Sequence, residues 1–465
     1  MMAKGTGERR LFAAACGGIL LLLVFSLPAI PRAGGETLGT WNSGSFWPST
    51  LTSGAVGGES CVVYSGYIYC VGGFLAYPYG PQREAAYAPI SSSGVGAWSA
   101  TTSYPTGFWL GSCAADPTTG YIYCAGGYTD ESGDIANAVY YATLSSSGIG
   151  AWQSTVNLPT ALASLSCAIS SGYIYCVGGD ADSSYPYTPS NAVYYASVSS
   201  SGVGSWGTST LPRVLDGESC AIYSGYIYCV GGEVTPGGTG PGSNVPAPWA
   251  GVYYASVSSS GVGTFTATTS YPTNAWLTDC AISSGYIYCM GGLTGQSGNA
   301  DFTSAVKYAA VSSSGVGTWT NTTSYPETIS EGSCVAYSGY IYCVGGVTGF
   351  YLGSTPYEFI IGNVYYASAG SSSTTSSTSS SSTSTFRLVC PSTGGGVLMP
   401  VGATFTDSYG NTWLAPSGNQ GASAYWSSYF FVGPASFIPP PMLQGWAGVY
   451  GTYNGQQGWI ITFFC

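Results

Sequence analysis

One unit recurs six times along this chain of 465 residues, and each copy contains two closely spaced cysteines. The copies begin at Cys61, Cys113, Cys167, Cys220, Cys280 and Cys334, so successive starts lie 52 to 60 residues apart. Repeats with a period near 50 residues are typical of propeller blades, each of which is one small sheet. Tyr, Val, Thr and Ile are abundant between frequent glycines and prolines, which predicts an all-β protein.

Each unit opens with a hairpin whose geometry explains the cysteines. With Ser65-Gly66 as a two-residue turn, Cys61 and Cys70 face each other as a non-hydrogen-bonded pair, which suits a disulfide. In the second unit the turn gains two residues, and an even insertion preserves the facing. Six disulfides are therefore predicted: Cys61–Cys70, Cys113–Cys124, Cys167–Cys176, Cys220–Cys229, Cys280–Cys289 and Cys334–Cys343.

Three further residue types recur in a fixed order within the units. A double glycine ends the second strand, at Gly73, Gly127, Gly179, Gly232, Gly292 and Gly346. A tyrosine follows on the third strand, at Tyr87, Tyr141, Tyr195, Tyr254, Tyr308 and Tyr366. An aromatic residue lies on the fourth, at Trp98, Trp152, Trp206, Phe265 and Trp319. This order resembles the kelch repeat, which implies a six-bladed kelch-like β-propeller over residues 36–370.

The sixth unit lacks its own fourth strand. Thr37-Leu-Gly-Thr-Trp41 is similar to the segment Gly315 to Trp319, so we predict that the strand around Trp41 completes the last blade. Such an exchange closes the ring and leaves no end strand unpaired.

The two ends of the chain differ from the repeats. Residues 1–33 have a basic start and an apolar run, which indicates a signal peptide or an N-terminal membrane anchor. Residues 371–385 form a Ser/Thr-rich linker. Residues 386–465 are expected to form a small C-terminal β-domain closed by Cys390–Cys465, which could serve assembly.

Charge and cysteine usage restrict the environment and the partners. The paired cysteines indicate an oxidising, extracellular compartment, secreted or at the cell surface. Without residues 1–33 the chain has four basic and 18 acidic residues, a formal net charge of −14, so nucleic acid is not an expected partner. Histidine is absent and only 6% of residues are charged. A strongly acidic environment is one hypothesis that accounts for both features.

Binding is expected on the loops between second and third strands, because these differ from blade to blade while the other turns are nearly invariant. Aromatic side chains there could form platforms for sugar rings or protein surfaces, unless the loops fold over the blade edges and bury them. The candidates are Tyr77, Tyr79, Tyr185, Tyr187, Trp249, Tyr351 and Tyr357.

Four acids just before first-strand cysteines are the sharper candidates: Glu59, Glu218, Asp279 and Glu331. If they converge at the channel mouth they could bind Ca²⁺ or perform acid/base chemistry; the alternative is a solvated rim. No other cofactor and no metal site is predicted. Asn321 begins the one N-glycosylation sequon.

Several enzyme classes are excluded by composition. Galactose oxidase shares the kelch architecture, but its copper site requires histidines, as do Ser-His-Asp and Cys-His catalysis. The sequence therefore favours a non-enzymatic binding or adhesion module for glycan or protein. Two alternatives stay open: a carboxylate-dependent hydrolase of extracellular polysaccharide, and a structural component of an envelope or matrix.

Overall fold

The computed structural model describes residues 37–48, 55–75, 80–130, 132–182, 188–234, 247–294, 301–352 and 355–370, together with six strands between 385 and 463. At 247, 350–352 and 355–358, and in the strands beyond 384, it describes the backbone alone. Over these residues the regular structure is strands and turns, which confirms the all-β prediction. Within the same ranges no helix is long and apolar enough to span a bilayer.

Six antiparallel sheets, one for each repeat, form the blades. Within each blade the inner strand pairs with the second, the second with the third, and the third with the outer strand. The inner strands are Ser60–Tyr64, Ser112–Asp116, Ser166–Ser170, Ser219–Tyr223, Asp279–Ser283 and Ser333–Tyr337. The second strands are Tyr67–Val71, Tyr121–Ala125, Tyr173–Val177, Tyr226–Val230, Tyr286–Met290 and Tyr340–Val344.

The outer half of each blade follows the same plan. The third strands are Ala85–Ser91, Val139–Ser145, Ser190–Ser199, Val252–Ser258, Val306–Ser312 and Val364–Ser368. After a tight turn, each of the first five is followed by a short strand that pairs with it, at Gly94–Val95, Gly148–Ile149, Gly202–Val203, Gly261–Val262 and Gly315–Val316. The outer strands are Ser99–Ala100, Gln153–Ser154, Gly207–Leu215, Thr266–Ala267 and Thr320–Asn321.

The predicted hairpin register is confirmed. Cys61 faces Cys70, and the two cysteines of each repeat are bonded, giving the six predicted disulfides. In the second blade Asp116 stabilises the longer turn by accepting hydrogen bonds from the Thr118 backbone N–H (3.0 Å) and the Thr119 hydroxyl (2.6 Å). The insertion therefore leaves the facing of Cys113 and Cys124 unchanged.

The N-terminal segment supplies the outer strand of the sixth blade, as predicted. The strand Asn42–Ser43 pairs with Val364–Ser368, and Asn42 faces Tyr366 as Ser99 faces Tyr87 in the first blade. Trp41 is buried, with its ring edge-on to Tyr325 at 5.0 Å between centroids. The ring is thus closed by chain segments far apart in sequence, and the architecture is a six-bladed propeller.

Neighbouring blades are joined by recurrent side-chain hydrogen bonds. A second-strand tyrosine hydroxyl donates to a serine carbonyl of the next blade in the pairs Tyr69–Ser145, Tyr123–Ser199, Tyr175–Ser258, Tyr228–Ser312 and Tyr342–Ser91. Outer-strand tryptophan indoles donate to carbonyls of the preceding blade in the pairs Trp98–Ser45, Trp152–Thr102, Trp206–Val156, Trp319–Thr269 and Trp41–Thr323. Because the Phe265 side chain has no N–H, the junction of blades 3 and 4 lacks the indole bond that the other five junctions have.

The double glycine is required by the close approach of the next blade. The Gly73 N–H donates to the Phe108 carbonyl (2.7 Å), and a Cβ on Gly72 would lie 2.1 Å from that same oxygen. Gly231 is equivalent, with its missing Cβ 2.3 Å from the Ala275 carbonyl oxygen. Any side chain at these positions would push adjacent blades apart.

Three loops between second and third strands contain two-stranded hairpins. These pair Phe74–Leu75 with Gly80–Pro81, Glu233–Val234 with Ala247–Pro248, and Val347–Leu352 with Thr355–Ile360. Beyond residue 384 the strands are Thr385–Arg387, Thr404–Thr406, Thr412–Leu414, Ser428–Phe431, Trp446–Tyr453 and Gln456–Phe463, in two three-stranded sheets. The predicted bond Cys390–Cys465 and residues 1–33 lie outside the described residues, and the domain boundaries stay predictions.

Candidate functional site

A closed ring of backbone hydrogen bonds surrounds the propeller axis on the variable-loop face. In every blade the residue three positions before the first cysteine has a left-handed backbone: Gly58, Leu110, Ser164, Gly217, Leu277 and Glu331, with φ between 51° and 65°. Each of these N–H groups donates to the carbonyl of the equivalent residue in the preceding blade, from 2.7 to 3.2 Å. Only two of the six are glycines, so at the other four the ring holds side chains in a conformation that costs about 1 kcal/mol or more each.

Two tryptophans lie beside this ring in opposite blades. Trp109 of blade 2 lies over Gly58, and Trp276 of blade 5 lies over Gly217; a Cβ on either glycine would be 2.4 Å from the indole nitrogen. Both tryptophans are partly exposed. The Trp109 N–H donates to the Glu331 carboxylate at 3.2 Å, and its ring packs between Phe74 (4.7 Å) and Tyr128 (5.0 Å between centroids).

The site repeats after half a turn of the ring. Blades 1 and 4 share the segment Gly-Glu-Ser-Cys, which ends at Cys61 and Cys220. Blades 2 and 5 share Trp-Leu followed, after two intervening residues, by cysteine, at Trp109 and Trp276. This half-turn relation is the signal that could have identified the two tryptophans from sequence, and our sequence reasoning missed it.

Glu59 and Glu218 occupy equivalent buried positions. Each is 5% exposed. Each carboxylate lies against the first residue of the double glycine in the preceding blade, which is Gly345 for Glu59 and Gly178 for Glu218. Burial raises the pKa of Glu59 well above its usual range and that of Glu218 to about 8. Of the two sequence-based interpretations, a solvated rim is wrong for this pair, because their oxygens are inside the blade junctions.

Asp279 belongs to a second ring of hydrogen bonds. In five blades a serine hydroxyl accepts the first cysteine N–H of the next blade, in the pairs Ser333–Cys61, Ser60–Cys113, Ser112–Cys167, Ser166–Cys220 and Ser219–Cys280. At the sixth junction the Asp279 carboxylate accepts the Cys334 N–H and also contacts the Ser219 hydroxyl (3.3 Å). Burial raises its pKa to about 7. Asp279 therefore has a structural role in closing the ring.

The four predicted acids do not form one cation site. Asp279 and Glu331 are close enough to raise the pKa of Glu59 further, whereas Glu218 lies on the opposite side, next to Asp216. Among the described residues there is no group of three or more acids or cysteines that could hold a metal ion. The geometry of these four acids thus gives no support to a Ca²⁺ centre.

The aromatic candidates are only partly covered by the structure. Trp249 is half-buried, with its ring 5.2 Å from that of Tyr253 and the Arg213 guanidinium 5.4 Å above it, which fits local packing. Tyr351 and Tyr357 lie on the hairpin of blade 6, with their backbone alone described. The remaining candidates, Tyr77, Tyr79, Tyr185 and Tyr187, lie outside the described residues.

Asn321 is exposed on the outer strand of blade 5. Its amide oxygen accepts a hydrogen bond from the Lys307 ammonium at 3.1 Å, and the sequon's Thr323 hydroxyl donates to the Leu38 carbonyl at 2.7 Å. Glycosylation here stays a prediction.

Sequence comparison does not place the chain in a family. No protein-family model matches it, and no curated protein does. Among solved structures, one titled "Structure of YjhT" superposes with a TM-score of 0.50 at 11% sequence identity, covering 66% of this chain and 99% of that chain. The shared feature is the propeller. At this identity the likeness supports the fold alone, and the kelch relationship continues to depend on the repeat residues.

Proposed function

We propose that this protein is an exported, non-enzymatic kelch-type module that binds glycans at the centre of its variable-loop face. The observation that carries the proposal is the pair of partly exposed tryptophans, Trp109 and Trp276, held beside the left-handed ring. Indole rings present a large, rigid apolar surface, which suits stacking against the apolar face of a sugar ring.

The surroundings of the tryptophans favour a preorganised site. The ring of six inter-blade hydrogen bonds fixes the backbone beneath them, so little conformational entropy is lost on binding. Partly exposed Glu331 and Ser164 occupy equivalent ring positions and provide polar groups for sugar hydroxyls. Protein ligands remain the alternative occupant of the same face.

Export is part of the proposal. Six disulfides within one propeller suggest an oxidising, extracellular environment. The N-terminal segment 1–33 would direct export and, if retained, would anchor the protein at the cell surface. Assembly through residues 386–465 would be compatible with this role.

The hydrolase alternative is less well supported. Of its four candidate acids, Glu59 and Glu218 have carboxylate oxygens that are closed off from solvent, Asp279 accepts the Cys334 N–H, and Glu331 is left as the remaining partly exposed acid. A general acid or base must reach the proton that it transfers within hydrogen-bond distance.

The test is binding of the full exported chain to a glycan array, followed by titration of the best glycan. We expect Trp109→Ala and Trp276→Ala each to weaken binding about tenfold or more, as for central aromatic residues of interfaces. Trp152→Phe is the control, because Trp152 directly precedes the outer strand of blade 2, away from the ring, and this variant should bind like the unmodified protein. Absence of glycan binding, or binding that survives both alanine changes, would contradict the proposal.

A further inference from the structure

Four buried acids lie near one another at the junction between blades 3 and 4, close enough for their charges to interact. Asp180 belongs to blade 3, whereas Asp216, Glu218 and Glu233 belong to blade 4, and each is at most 5% exposed. Asp216 and Glu233 are partners in an isolated antiparallel β-bridge, in which the Glu233 N–H donates to the Asp216 carbonyl at 2.8 Å. Like charges directly opposite each other in a sheet are destabilising.

Of the described residues, no cation forms an ion pair with Asp180, Asp216, Glu218 or Glu233, and none is among the groups that shift their pKa values. The strand Gly207–Leu215 packs beside Glu233 and contains Arg213, but the guanidinium lies over the Trp249 ring. Four of the carboxylate oxygens have no hydrogen-bond partner within the described structure: Asp216 Oδ1, both oxygens of Glu218, and Glu233 Oε2.

The other groups that face the cluster are neutral or acidic. Asp180 accepts hydrogen bonds from the Tyr128 hydroxyl (3.4 Å) and from the N–H groups of Asp182 (3.2 Å) and Thr188 (2.8 Å). The Trp276 indole lies next to Asp216. The Asp182 carboxylate adds negative charge close to Asp180. Ionising the whole cluster would therefore place several unbalanced negative charges inside one blade junction.

The same junction lacks one of the hydrogen bonds that join the other blades. Blade 4 has Phe265 where the other five blades have a tryptophan that donates to the preceding blade. Phe265 is buried and packs in a cluster with Leu211 and Leu215 instead. The bonds that remain include Gly217 N–H to the Ser164 carbonyl (2.9 Å) and Gly179 N–H to the Leu215 carbonyl (3.0 Å).

We propose that the junction of blades 3 and 4 is a proton-dependent latch, which holds the ring closed while its four acids are protonated and loosens as they ionise. The proposal concerns the fold and is independent of glycan binding. It also gives the absence of histidine and of balancing cations a common explanation, namely that the propeller is built for an acidic environment.

The direction of the pH effect follows from the raised pKa values. Burial raises the pKa of Glu218 to about 8 and that of Glu233 to about 7, and it also raises those of Asp216 and Asp180. A carboxyl group whose pKa is higher in the folded state binds its proton more tightly when folded. Its stabilising effect is complete below pH 4, the range of an unfolded-chain carboxyl, and is lost as pH rises to 7 or 8.

Thermal unfolding of the full chain between pH 4 and pH 8 tests the latch. We expect the midpoint to fall by about 5 °C or more over this range, and the double variant Asp216→Asn, Glu233→Gln to lose at least about half of that fall. Asp301→Asn, an exposed acid in blade 5, is the control and should keep the full pH dependence. A midpoint that is constant or rises with pH would overturn the proposal, as would a double variant with the unmodified pH dependence. If that variant does not fold, Glu218→Gln is compared with the matched change Glu59→Gln at the junction of blades 6 and 1, and an equal effect of the two on the pH dependence would overturn the proposal.

Discussion

Blades 1 and 4 contain the same Gly-Glu-Ser-Cys segment in the same structural position, yet its surroundings differ. Before the segment, blade 1 has Gly57 and blade 4 has Asp216; the bridge partners are Phe74 and Glu233, respectively. The aromatic pair Phe74 and Trp109 therefore lies beside the segment in blade 1, where Asp279 and Glu331 are the acids close to Glu59, whereas blade 4 has two further buried acids, Asp216 and Glu233, at the bridge itself. The repeat preserves the backbone scaffold, and the residues just outside the repeat determine the chemistry of each junction.

The junctions that precede blades 1 and 4 have equivalent backbone hydrogen bonds but differ in a side-chain hydrogen bond. Both junctions have the same backbone bonds, from Gly58 to Glu331 and from Gly217 to Ser164. At blade 1 the Trp98 indole adds a side-chain bond to Ser45, but Phe265 adds none at blade 4. We infer that the half-turn symmetry of the ring is one of geometry and not of stability.

The largest expected effect concerns the double glycine, which blades 1 and 4 share. Gly72→Ala in blade 1 and Gly231→Ala in blade 4 should each reduce the free energy of unfolding by about 3 kcal/mol or more, because the new Cβ would overlap a carbonyl of the next blade. Gly225→Ala is the control: its φ is also positive, but its Cβ would meet nothing within 4 Å, so about 1 kcal/mol is expected. Urea denaturation measures all three. Equal losses at Gly225 and Gly231 would show that the close approach is not what requires glycine.

A smaller effect is expected from making blade 1 resemble blade 4. Trp98→Phe removes the indole N–H that bonds to the Ser45 carbonyl and should cost about 1 kcal/mol at any pH between 4 and 8. The same urea titration applies, with the curves recorded at both pH values. A loss that differs between the two pH values would contradict the pH-independent cost expected for a bond between two neutral groups.

Much of the scaffold could be predicted from the sequence. The turn Ser65-Gly66 predicts the hairpin register and the disulfides, and the N-terminal segment at Trp41, which resembles a fourth strand, predicts how the ring closes. These features depend on local geometry that repeats, so six copies of the evidence reinforce one another.

The site was harder to predict for physical reasons. Glu59 and Glu218 were predicted at the channel mouth, but they are buried against the glycines of a neighbouring blade, which the spacing of acids does not reveal. Asp216 and Glu233 were missed because they face each other through an isolated bridge and not through a repeat strand. Trp109 lies in a blade-to-blade connection, whereas the predicted aromatic residues lie in the longer loops between second and third strands.

Hydrogen exchange at four backbone amides tests the comparison most directly. The Gly179 and Gly217 amides bridge blades 3 and 4, and the Gly73 and Leu110 amides are their counterparts between blades 1 and 2, where Gly111 takes the place of the buried glutamate. After correction for intrinsic exchange, we expect protection at Gly179 and Gly217 to fall about tenfold or more between pH 5 and pH 8, relative to Gly73 and Leu110. Parallel changes at all four amides would contradict a latch between blades 3 and 4.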